Sequence, residues 1–510
     1  MSFNEAWHAL KTEVRNGRMV RTHSGQVQPG DVFVALAGTR VSGSTYIAEA
    51  IARNAGYVVT GPGQGGDSSD GALLLEHPDP REALGELAAA HFGTDASCPL
   101  LVGVTGTNGK TTIIHLLEHL LRSAGMRVGL IGTIGATWPG GSFTSGMTTP
   151  DCWTLHQILA RMRDDGVTHA CMEVSSHALQ QKRTAGLRFE VAALTNITQD
   201  HLDYHQDMES YYQAKARLFA PNATQPEGPK HRVINADDPY GQRLLNQWGG
   251  VAYTLHDGGR LPKRGQDSSA AIRILHGEMK SCDRSGLELR MDFEGQSWVL
   301  DSSLVGRHNA SNLLAAQGVG LCLGLESSRM TALEDFSGVP GRLERVTNPL
   351  GLNIFVDYAH TPDALENVLN ALRELRFERL IVVFGCGGNR DRAKRPLMGQ
   401  AVCRFADIAV LTSDNPRHED PETILNDVQA GLGGGAAVIR EVDRKRAIER
   451  ALEVMRPDDV LLVAGKGHEA TQQIGEEYFP FHDPTVIRRI LGEGPGHASG
   501  RVLQAVRPCA

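Results

Sequence analysis

The chain has 510 residues, which is too long for one hydrophobic core and predicts about two to four domains. Its 41% hydrophobic and 22% charged residues are ordinary for a globular protein, and no apolar stretch is long enough to cross a bilayer. The net charge of -8 leaves no basic field for nucleic acid, the eight cysteines form no C-x-x-C pair, and the N-terminus MSFNEA lacks a signal-peptide pattern. We therefore expect a cytoplasmic protein that neither binds nucleic acid nor spans a membrane.

The first two segments of the chain differ in their pattern of strands. Residues 1–98 contain the turn signal Pro29-Gly30-Asp31 before a short strand at 32–36, which predicts a small α/β domain. In residues 99–341, apolar strands alternate with helix-like stretches, which predicts a largely parallel sheet wrapped by helices. The predicted strands are 100–104, 128–131, 169–174, 191–194 and 232–234. After a polar, glycine-rich stretch at 258–269, the segments IRILHGEM and LELRMDFEG alternate like antiparallel strands at the domain's edge.

A third segment follows the Pro-Gly hinge signal VPGR at 339–342. Strands predicted at 354–356, 380–384, 408–411 and 460–464 indicate a second doubly wound sheet in residues 342–492. Residues 493–510 are mostly small or polar, and we expect a disordered tail there. The sequence thus predicts an α/β protein of three domains: a small N-terminal α/β domain, a central P-loop ATPase-like doubly wound sheet, and a C-terminal Rossmann-like α/β domain.

The segment LVGVTGTNGKTT, residues 101–112, places a glycine-rich turn between a predicted strand and a helix that begins near Thr111. Backbone N–H groups in this turn are placed to cradle phosphate oxygens, Lys110 to reach the β and γ oxygens of ATP, and Thr111 to bind magnesium. The strict G-x-x-x-x-G-K-[ST] spacing is not met, because Val104 occupies the first glycine position. A glycine-rich turn with a chance lysine is the alternative. The residues assigned to ATP in this loop are Gly106, Thr107, Asn108, Gly109, Lys110, Thr111 and Thr112.

Acids and histidines follow the next two predicted strands. Glu173 comes at a strand's carboxyl end, where ligands gather in a doubly wound sheet, so it is placed to hold magnesium; a helix cap or a solvated charge is the alternative. The segment NITQDHLDYH adds Asn196, Asp200, His201, Asp203 and His205. That density suggests a metal or nucleotide rim, although such histidines are often only hydrogen-bonded loop residues. Lys215 lies on the following helix, where an exposed lysine paired with nearby acids is the simplest interpretation.

A series of motifs then connects the three segments in one order. They are GTNGKTT, MEVSSHAL, NITQDHLDYH, YYQAKARLF, GRHNASNLLAA, VPGRLERV, VDYAHTPDAL, GCGGNRDRAKRPLMG, DNPR and AGKGHE. This set resembles the Mur ligases of peptidoglycan synthesis and covers everything except the C-terminal tail. The resemblance implies an N-terminal domain for a UDP group, a central ATPase, and a mobile C-terminal domain that brings an incoming amino acid.

The resemblance also implies a reaction. The motifs are most similar to those of members that add meso-2,6-diaminopimelate to UDP-N-acetylmuramoyl-L-Ala-D-Glu. The free carboxylate of that dipeptide takes the γ-phosphoryl group of ATP, an amine attacks the acyl phosphate, and the amide forms as phosphate leaves. Mg²⁺ and Lys110 would offset the charge of the two anions brought together. The implied partners are these two substrates and ATP, with Mg²⁺ as cofactor and the protein as a monomer.

The resemblance assigns further roles position by position. The implied catalytic residues are Lys110, Glu173, His201 and Lys215. Glu173 and His201 would join Thr111 as metal ligands, and Lys215 corresponds to a lysine that carbon dioxide carbamylates, which gives an anion able to hold a second Mg²⁺.

Contacts to the two nucleotide substrates are implied in the same way. The UDP-linked substrate would contact Thr148, Thr149, Ser175, Gln181 and Arg183, and ATP would also contact Asn309, Arg342 and Asp357. Plainer interpretations exist for most of them: Thr148 and Thr149 as a helix start with Thr149 as the cap, and Gln181 and Arg183 as a polar helix face. Asn309, Arg342 and Asp357 could be a helix cap, a hinge-surface arginine and a strand-end acid.

The N-terminal segment departs from the family pattern. Where the family often has Asp-Ser-Arg, this chain has His23-Ser24-Gly25. Ser24 is kept, so a uridine contact there is expected, whereas Gly25 stands in place of the family's arginine. The segment ALAGTRVSG matches the following uridine loop only loosely, and a surface turn is the alternative.

Three predicted strands of the C-terminal domain end in polar residues that one ligand can touch. The residues assigned to diaminopimelate are Arg390, Asp414, Asn415, Pro416, Arg417, Gly465 and Glu469. The arginines suit the distal carboxylate and the acids suit the ammonium, whereas lysine has no distal carboxylate, so an unpaired arginine would reject it. A simple ion pair between Arg417 and Asp414 is the structural alternative.

Other functions remain open at this point. A lysine-adding Mur ligase and a folylpolyglutamate synthetase-like ligase would share the ATP loop, although the DNPR motif and the EVSSHAL context argue against the second. A non-catalytic ATP-binding regulator would not need Lys110, Glu173, His201 and Lys215 intact. A P-loop kinase would perform only the first half of the reaction.

Overall fold

The computed structural model describes residues 2–38, 42–64, 71–256 and 271–492. The predicted tail at 493–510, the glycine-rich stretch at 258–269 and the middle of the loosely matched uridine loop lie outside these residues. Two compact units can be distinguished: one comprises Met1–Glu278, Met291–Trp298 and Ser311–Ala332, and the other comprises Met279–Arg290, Val299–Ala310 and Leu333–Ala510. Of the helices in the described ranges, none has the length and apolarity that a membrane crossing needs.

The N-terminal segment forms a four-stranded parallel sheet in the order β1-β2-β3-β4. Its elements are α1 Phe3–Arg15, β1 Val20–Arg21, β2 Val32–Val34, α2 Ile47–Ala52, β3 Tyr57–Thr60, β4 Leu73–Glu76 and α3 Pro80–Phe92. The predicted strand at 32–36 ends early, because Leu36 accepts a hydrogen bond from the Gly43 N–H and the chain turns away from the ladder. Asp79 caps α3 by accepting from the N–H groups of Arg81 and Glu82, with proline in the first turn.

The central sheet has eleven strands within the described residues, in the order β15-β14-β13-β12-β11-β10-β5-β9-β6-β7-β8. Its strands are β5 Leu100–Thr105, β6 Val128–Gly132, β7 Gly135–Trp138, β8 Gly141–Phe143, β9 His169–Glu173, β10 Phe189–Leu194, β11 His231–Asn235, β12 Gly250–Thr254, β13 Ile272–Cys282, β14 Leu287–Phe293 and β15 Gln296–Ser302. Its helices are α4 Lys110–Ser123, α5 Cys152–Asp164, α6 Ser176–Gln180, α7 Leu202–His205, α8 Met208–Ala216, α9 Pro239–Trp248 and α10 Arg307–Cys322.

Strand β5 lies between β10 and β9 and is parallel to both. The carboxyl ends of these three strands therefore meet at one edge of the sheet, where ligands of doubly wound proteins bind. The largely parallel sheet predicted from the sequence is confirmed. The segments predicted as antiparallel edge strands form β13 and β14 near one end of the sheet, and β13 is parallel to its inner neighbour β12.

The C-terminal sheet has the order β16-β17-β21-β18-β19-β20. Its strands are β16 Glu344–Arg345, β17 Asn353–Asp357, β18 Leu380–Phe384, β19 Ile408–Leu411, β20 Ala437–Arg440 and β21 Val460–Ala464, and a separate hairpin follows as β22 Thr471–Ile474 and β23 Glu477–Pro480. Its helices are α11 Pro362–Arg373, α12 Lys394–Phe405, α13 Pro421–Gln429, α14 Arg444–Val454 and α15 Asp483–Ile490. Strands β17, β21, β18, β19 and β20 are parallel to their neighbours in this order, and β16 pairs with β17 in the antiparallel sense.

Alternate residues of these strands pack in two different cores. Phe355, Val382 and Leu462 pack with apolar residues of α11, α12 and α13. Val356 and Val463, each one residue further along its strand, pack with α14 and α15. Because successive side chains of a strand point to opposite faces, helices cover both faces, and the predicted doubly wound sheet is confirmed.

A fully buried ion pair joins two helices of this sheet at the carboxyl end of strand β21. Arg444 and Asp483 have 0% exposed side chains, and Arg444 Nε and Nη2 donate to the two carboxylate oxygens at 2.8 and 2.7 Å. Arg444 Nη2 also donates to the carbonyl of Ala464, the last residue of β21, at 2.9 Å. The pair thus fixes the starts of α14 and α15 against the end of a central strand.

We expect Arg444→Met to destabilise the protein by about 3–5 kcal/mol, because it leaves the Asp483 carboxylate buried without a partner. The measurement is urea-induced unfolding of the full chain. Lys445→Met is the matched control: its side chain is 58% exposed and pairs with Glu449 only at the surface, so a loss of about 0–1 kcal/mol is expected. Equal effects of the two substitutions would contradict the prediction.

Candidate active site

The phosphate loop lies between β5 and α4, as the sequence predicts, although the helix begins one residue earlier, at Lys110. Gly106 and Gly109 adopt positive φ values of 149° and 88°. A Cβ atom on Gly106 would collide with Thr195 Oγ1, so a side chain is excluded there by both conformation and space. Lys110 Nζ folds back over the loop and donates to the carbonyls of Gly106 and Thr107 at 2.9 and 2.8 Å.

The segment after β10 holds this loop from one side. Asn196 accepts from the Thr107 N–H through its carbonyl at 2.8 Å and from the Asn108 N–H through Oδ1 at 3.0 Å. The Asn108 N–H is therefore already hydrogen-bonded in this structure, and the assignment of Asn108 to ATP stays a prediction. Thr195 Oγ1 donates to the Asn108 carbonyl at 2.6 Å. The loop is held in shape by the neighbouring strand, because β10 pairs directly with β5.

Glu173 ends β9 beside the start of α4 and is buried. Its Oε1 accepts from Thr111 Oγ1 at 3.0 Å and from the Thr133 N–H at 2.9 Å. Thr133 Oγ1 donates to the other oxygen at 3.2 Å. Ser175, rather than Glu173, caps α6. The structure thus brings together Thr111 and Glu173, two of the predicted metal ligands.

Lys215 is buried, which contradicts the simple interpretation of an exposed lysine on α8. Its Nζ donates to the Gly106 carbonyl at 2.8 Å and lies 4.5 Å from the centroid of the Tyr211 ring. Burial, reinforced by the positive charge of Lys110, holds the pKa of Lys215 well below its usual 10.5, against the opposing effect of Asp200. Two lysine side chains therefore converge on one carbonyl oxygen of the phosphate loop.

The two histidines of the predicted cluster, His201 and His205, pack around the ring of His177 together with Tyr204. His177 lies 4.8 Å from His201, 4.1 Å from Tyr204 and 5.5 Å from His205, measured between ring centroids. The backbone of His201 has a φ of 53°. Its side chain is half-exposed, and its Nε2 lies 3.5 Å from a carboxylate oxygen of Asp200. Within the described ranges, no three His, Cys, Asp or Glu side chains are grouped as a protein-only metal centre requires, and His201 does not join Glu173 in such a group.

Five of the residues assigned to the UDP-linked substrate form one connected network. Thr149 Oγ1 donates to the Glu173 carbonyl at 2.9 Å and accepts from the Ser175 N–H at 3.0 Å. Arg183 Nη1 donates to the Thr149 carbonyl at 2.7 Å, and its Nη2 donates to Gln181 Oε1 at 2.9 Å. The remaining member is Thr148, whose Oγ1 lies 3.2 Å from Thr133 Oγ1.

Two alternative interpretations of these residues are wrong. Asp151 caps α5 by accepting from the Thr154 N–H, so Thr149 is not the helix cap. Helix α6 ends before Gln181, so Gln181 and Arg183 do not form a helix face. Far earlier in the chain, Ser24 is buried and donates to Glu49 Oε2 at 2.7 Å.

The second unit holds the other predicted ATP contacts. Asp357 ends β17 and accepts from the N–H groups of Leu343 and Ala359, both at 2.7 Å. Burial raises the pKa of Asp357, while Arg342 opposes that rise. The Arg342 guanidinium lies 5.4 Å from the Tyr358 ring centroid. The buried Asn309, in α10, donates to the Val305 carbonyl at 2.9 Å.

The DNPR loop follows β19, as the sequence predicts. Arg417 has a φ of 51°, a left-handed conformation that is uncommon outside glycine. Its Nη1 donates to the Gly388 carbonyl at 2.7 Å, and no carboxylate among the described residues pairs with it. The alternative of a simple Arg417–Asp414 ion pair is therefore wrong, and the guanidinium keeps further donors for a ligand. Arg390, on the neighbouring loop, is exposed.

The acids of this site differ in their surroundings. Asp414 is buried against the backbone of Gly465, and burial raises its pKa, partly offset by Arg444 and Lys466. Burial would also raise the pKa of Glu469, but contacts with Lys466 and Asn415 outweigh it and lower that pKa. Asp414 thus has the environment of a carboxyl group that is protonated more readily than Glu469.

Two buried cations of this site were not assigned from the sequence. Lys466 lies inside the AGKGHE motif, which marked its position but gave no sign that its side chain turns inward. Arg444 begins α14, where an arginine at a helix start has no special pattern. Their partners, Glu469 and Asp483, are visible in the sequence only as acids at ordinary positions.

Models of three protein domains match this chain in order. The Mur ligase family, catalytic domain model matches residues 18–92, the Mur ligase middle domain model matches 104–320, and the Mur ligase, glutamate ligase domain model matches 341–467. These matches and the fold define a three-domain α/β ligase that uses ATP to form a peptide bond. The chain belongs to the Mur ligase family.

Two proteins and a solved structure that share one name are similar to this chain over most of its length. A protein of Lawsonia intracellularis (strain PHE/MN1-00) is 49% identical, covers 95% of this chain and 98% of its own, and is named UDP-N-acetylmuramoyl-L-alanyl-D-glutamate--2,6-diaminopimelate ligase. A protein of the same name from Thermosynechococcus vestitus (strain NIES-2133 / IAM M-273 / BP-1) is 43% identical over 95% of this chain and 94% of its own. A solved structure of that name matches with a TM-score of 0.66 and 33% identity, over 93% of this chain and 94% of the other.

Proposed function

We propose that this chain adds meso-2,6-diaminopimelate to UDP-N-acetylmuramoyl-L-Ala-D-Glu, with conversion of ATP to ADP and phosphate. The names of its relatives support the substrates. The observation that carries the chemistry is the convergence of Lys110 and Lys215 on the Gly106 carbonyl of the phosphate loop. One lysine can neutralise phosphate charge, and the other, whose pKa is lowered, can react as a neutral amine at the same place. The product is an amide between the D-Glu carboxyl group and an amino group of diaminopimelate.

The reaction needs an activated carboxyl group, because a carboxylate oxygen is a poor leaving group. Transfer of the γ-phosphoryl group to the carboxylate gives an acyl phosphate and ADP. The incoming amine attacks the acyl carbon, phosphate departs with the oxygen, and the amine loses a proton. In this proposal Lys110 leaves its two backbone acceptors to contact the β and γ oxygens, while the N–H groups around Gly109 contact the phosphates.

Mg²⁺ is proposed as the cofactor, and the residues present fit it. Thr111 and Glu173 supply a hydroxyl and a carboxylate oxygen, the hard ligands that Mg²⁺ prefers, and they already lie 3.0 Å apart. A centre of three protein ligands is not needed, since Mg²⁺ usually takes one or two carboxylates and completes its shell with phosphates and water. Bound there, Mg²⁺ would neutralise phosphate charge, with His201 assigned to its near surroundings.

Lys215 is proposed to react with carbon dioxide. Only the neutral amine attacks carbon dioxide, and burial, together with the charge of Lys110, lowers the pKa of Lys215 and so favours that form. The amine loses a proton as its nitrogen bonds to the carbon of carbon dioxide, and the N6-carboxylysine that forms is an anion. It would replace the repulsion from Lys110 by attraction and would supply an oxygen ligand for a second Mg²⁺. The burial of this lysine next to another cation supports the assignment.

The remaining contacts are assigned by substrate. The network of Thr148, Thr149, Ser175, Gln181 and Arg183 is assigned to the UDP-linked substrate with Ser24, and Asn309, Arg342 and Asp357 to ATP. We assign the domains to 1–98 for UDP, 99–341 for ATP and 342–492 for the amino acid. A monomeric state and a cytoplasmic location, where ATP and nucleotide-linked precursors are supplied, stay predictions.

Diaminopimelate is assigned to the C-terminal unit. Its distal carboxylate would bind the guanidinium groups of Arg417 and Arg390, and its ammonium would bind Glu469 and Asp414. The unpaired donors of Arg417 support this orientation, because they suit a carboxylate and would be left unsatisfied by lysine. Asn415, Pro416 and Gly465 complete the proposed pocket.

The assay combines the protein with ATP, Mg²⁺, the UDP-linked dipeptide and either meso-diaminopimelate or lysine, and it measures phosphate and tripeptide. We expect phosphate release to depend on diaminopimelate and to match the tripeptide formed one for one. Phosphate release without any amino-acid dependence would refute the ligase proposal and favour a kinase. Preference for lysine would refute only the choice of amino acid.

A further inference from the structure

A buried lysine, Lys466, connects the segments that carry the proposed amino-acid-binding residues. Its side chain is 0% exposed, and its Nζ donates to Asn415 Oδ1 at 3.1 Å, to Glu469 Oε2 at 2.9 Å and to the Thr471 carbonyl at 2.7 Å. An ammonium group has three donors, and all three are used. The acceptors lie on the DNPR loop, on the loop after β21, and on the first residue of the hairpin strand β22.

We propose that Lys466 is a positioning residue that aims both the ammonium-binding carboxylate of Glu469 and the carboxylate-binding guanidinium of Arg417, and so sets the affinity for the incoming amino acid. The inference rests on the proposed function, because that function assigns Glu469 and Arg417 to diaminopimelate. Lys466 itself does not touch the substrate in this proposal.

The first effect is on Glu469. Its Oε2 accepts from Lys466 and also from Asn415 Nδ2, at 2.8 Å. Its Oε1 accepts no hydrogen bond from the described residues, and the side chain is 31% exposed. Lys466 therefore binds one carboxylate oxygen and leaves the other without a donor among the described residues, on a partly exposed side chain where it can accept from an ammonium group.

The second effect reaches Arg417 through the hairpin. The Arg417 N–H donates to the Gln473 carbonyl at 3.1 Å, and the Gly475 N–H donates to the Arg417 carbonyl at 2.7 Å. The Gln473 N–H also donates to Asn415 Oδ1 at 2.9 Å. These bonds hold Arg417 in a left-handed conformation that its own preference disfavours. Lys466 donates to Asn415 in the DNPR loop and to Thr471 in the hairpin, so it fixes these two segments to each other. The hairpin in turn supports the backbone of Arg417.

Lys466 is also the nearest cation to Glu469. The charged or titratable groups that act on Glu469, or that its charge acts on, are Lys466, His468, Tyr358, Asp414 and Arg444. Only Lys466 makes an ion pair with it among the described residues. Without that cation, burial and the neighbouring Asp414 would favour the protonated carboxyl group, which accepts an ammonium group less well.

The test compares Lys466→Met with the parent protein in the complete assay, with each substrate varied in turn. We expect KM for diaminopimelate to rise about 10- to 100-fold, the loss typical of a hydrogen bond to a charged group, while KM for ATP changes less than about 2-fold. In the variant, KM for diaminopimelate should also rise as pH falls from about 8 to about 6, whereas the parent protein keeps Glu469 ionised and shows a flatter profile.

Two further variants separate positioning from folding. Lys445→Met makes the same substitution at an exposed site of the same unit and should change no KM. Lys466→Gln keeps hydrogen-bond donors without the charge, and it replaces Lys466→Met in the test if that variant does not fold. In Lys466→Gln, KM for diaminopimelate should likewise rise as the pH falls. Equal rises of all three KM values, an unchanged KM for diaminopimelate, or loss of folding in both Lys466 variants would overturn the proposal. A parent protein without amino-acid-dependent activity would instead refute the proposed function.

Discussion

Lys215→Met is expected to lower kcat by about 10²–10³-fold, the loss typical of removing one group that stabilises charge in a transition state. Methionine keeps the length of the side chain in the buried site next to the phosphate loop but cannot react with carbon dioxide. KM for diaminopimelate should change little, because Lys215 is assigned to the ATP site. The measurement is the phosphate-release assay. An active Lys215→Met protein would show that no modified lysine is needed.

The modification itself has a direct readout. Protein equilibrated with carbon-13 bicarbonate should give one carbamate carbon resonance in NMR that the Lys215→Met protein lacks. The matched control is Lys182→Met, since Lys182 is partly exposed and ion-paired with Asp79 and Glu82, which raises its pKa and keeps it protonated. If the resonance were lost in Lys182→Met and kept in Lys215→Met, the carbamate would be on Lys182, and the proposal for Lys215 would be refuted.

Lys215→Met should also increase the stability of the folded protein toward urea in buffer free of carbon dioxide. The pKa of Lys215 in the folded chain lies below its usual 10.5, so between these two values the unfolded chain binds more protons and stability rises with pH. Lowering the pH through this window therefore costs stability, and Lys215→Met removes that cost. We expect a higher urea midpoint than the parent at neutral pH, with the difference shrinking toward pH 10.5. A less stable variant at neutral pH would contradict the direction of the pKa shift.

Much of the fold could be predicted because buried parallel strands have a simple pattern. The strands predicted at 380–384, 408–411 and 460–464 coincide with β18, β19 and β21, which are continuous apolar runs covered on both faces. The edge strand β20 was missed, because its four residues are only partly buried or exposed and it follows three glycines. Local composition does not identify a strand that is defined mainly by pairing with its neighbour.

The positions of the candidate site could be predicted better than its interactions. The ends of β5, β9 and β19 were recognised because glycine, acidic and arginine residues interrupt apolar runs there. The burial of Lys215 could not be, since its acceptor Gly106 lies 109 residues earlier in the chain. Lys466 likewise obtains its role from Asn415, which is 51 residues away. Contacts between distant segments determine the charge and direction of such side chains, and a single sequence contains no record of them.

Arg417→Ala is expected to raise KM for diaminopimelate by about 100-fold while KM for ATP stays within about 2-fold. Truncation of a charged group that binds a charged ligand typically costs about 2–5 kcal/mol, and the lower part of this range applies because Arg417 is only partly buried. Alanine also fits the φ of 51° poorly, so Arg417→Gly, which accepts that backbone, separates loss of the guanidinium from backbone strain. Both variants should show the same loss if the side chain is what binds.

The selectivity between diaminopimelate and lysine tests the role of Arg417 more directly than KM alone. The parent protein should prefer diaminopimelate to lysine partly because an unmatched guanidinium penalises lysine, so Arg417→Gly should lower kcat/KM for diaminopimelate and leave or raise that for lysine. Arg392→Ala is the control: Arg392 is exposed and donates to Glu419 at 2.8 Å on the neighbouring loop, and its loss should alter neither ratio. If Arg417→Gly lowered kcat/KM for diaminopimelate and for lysine equally, Arg417 would support the pocket without binding the distal carboxylate.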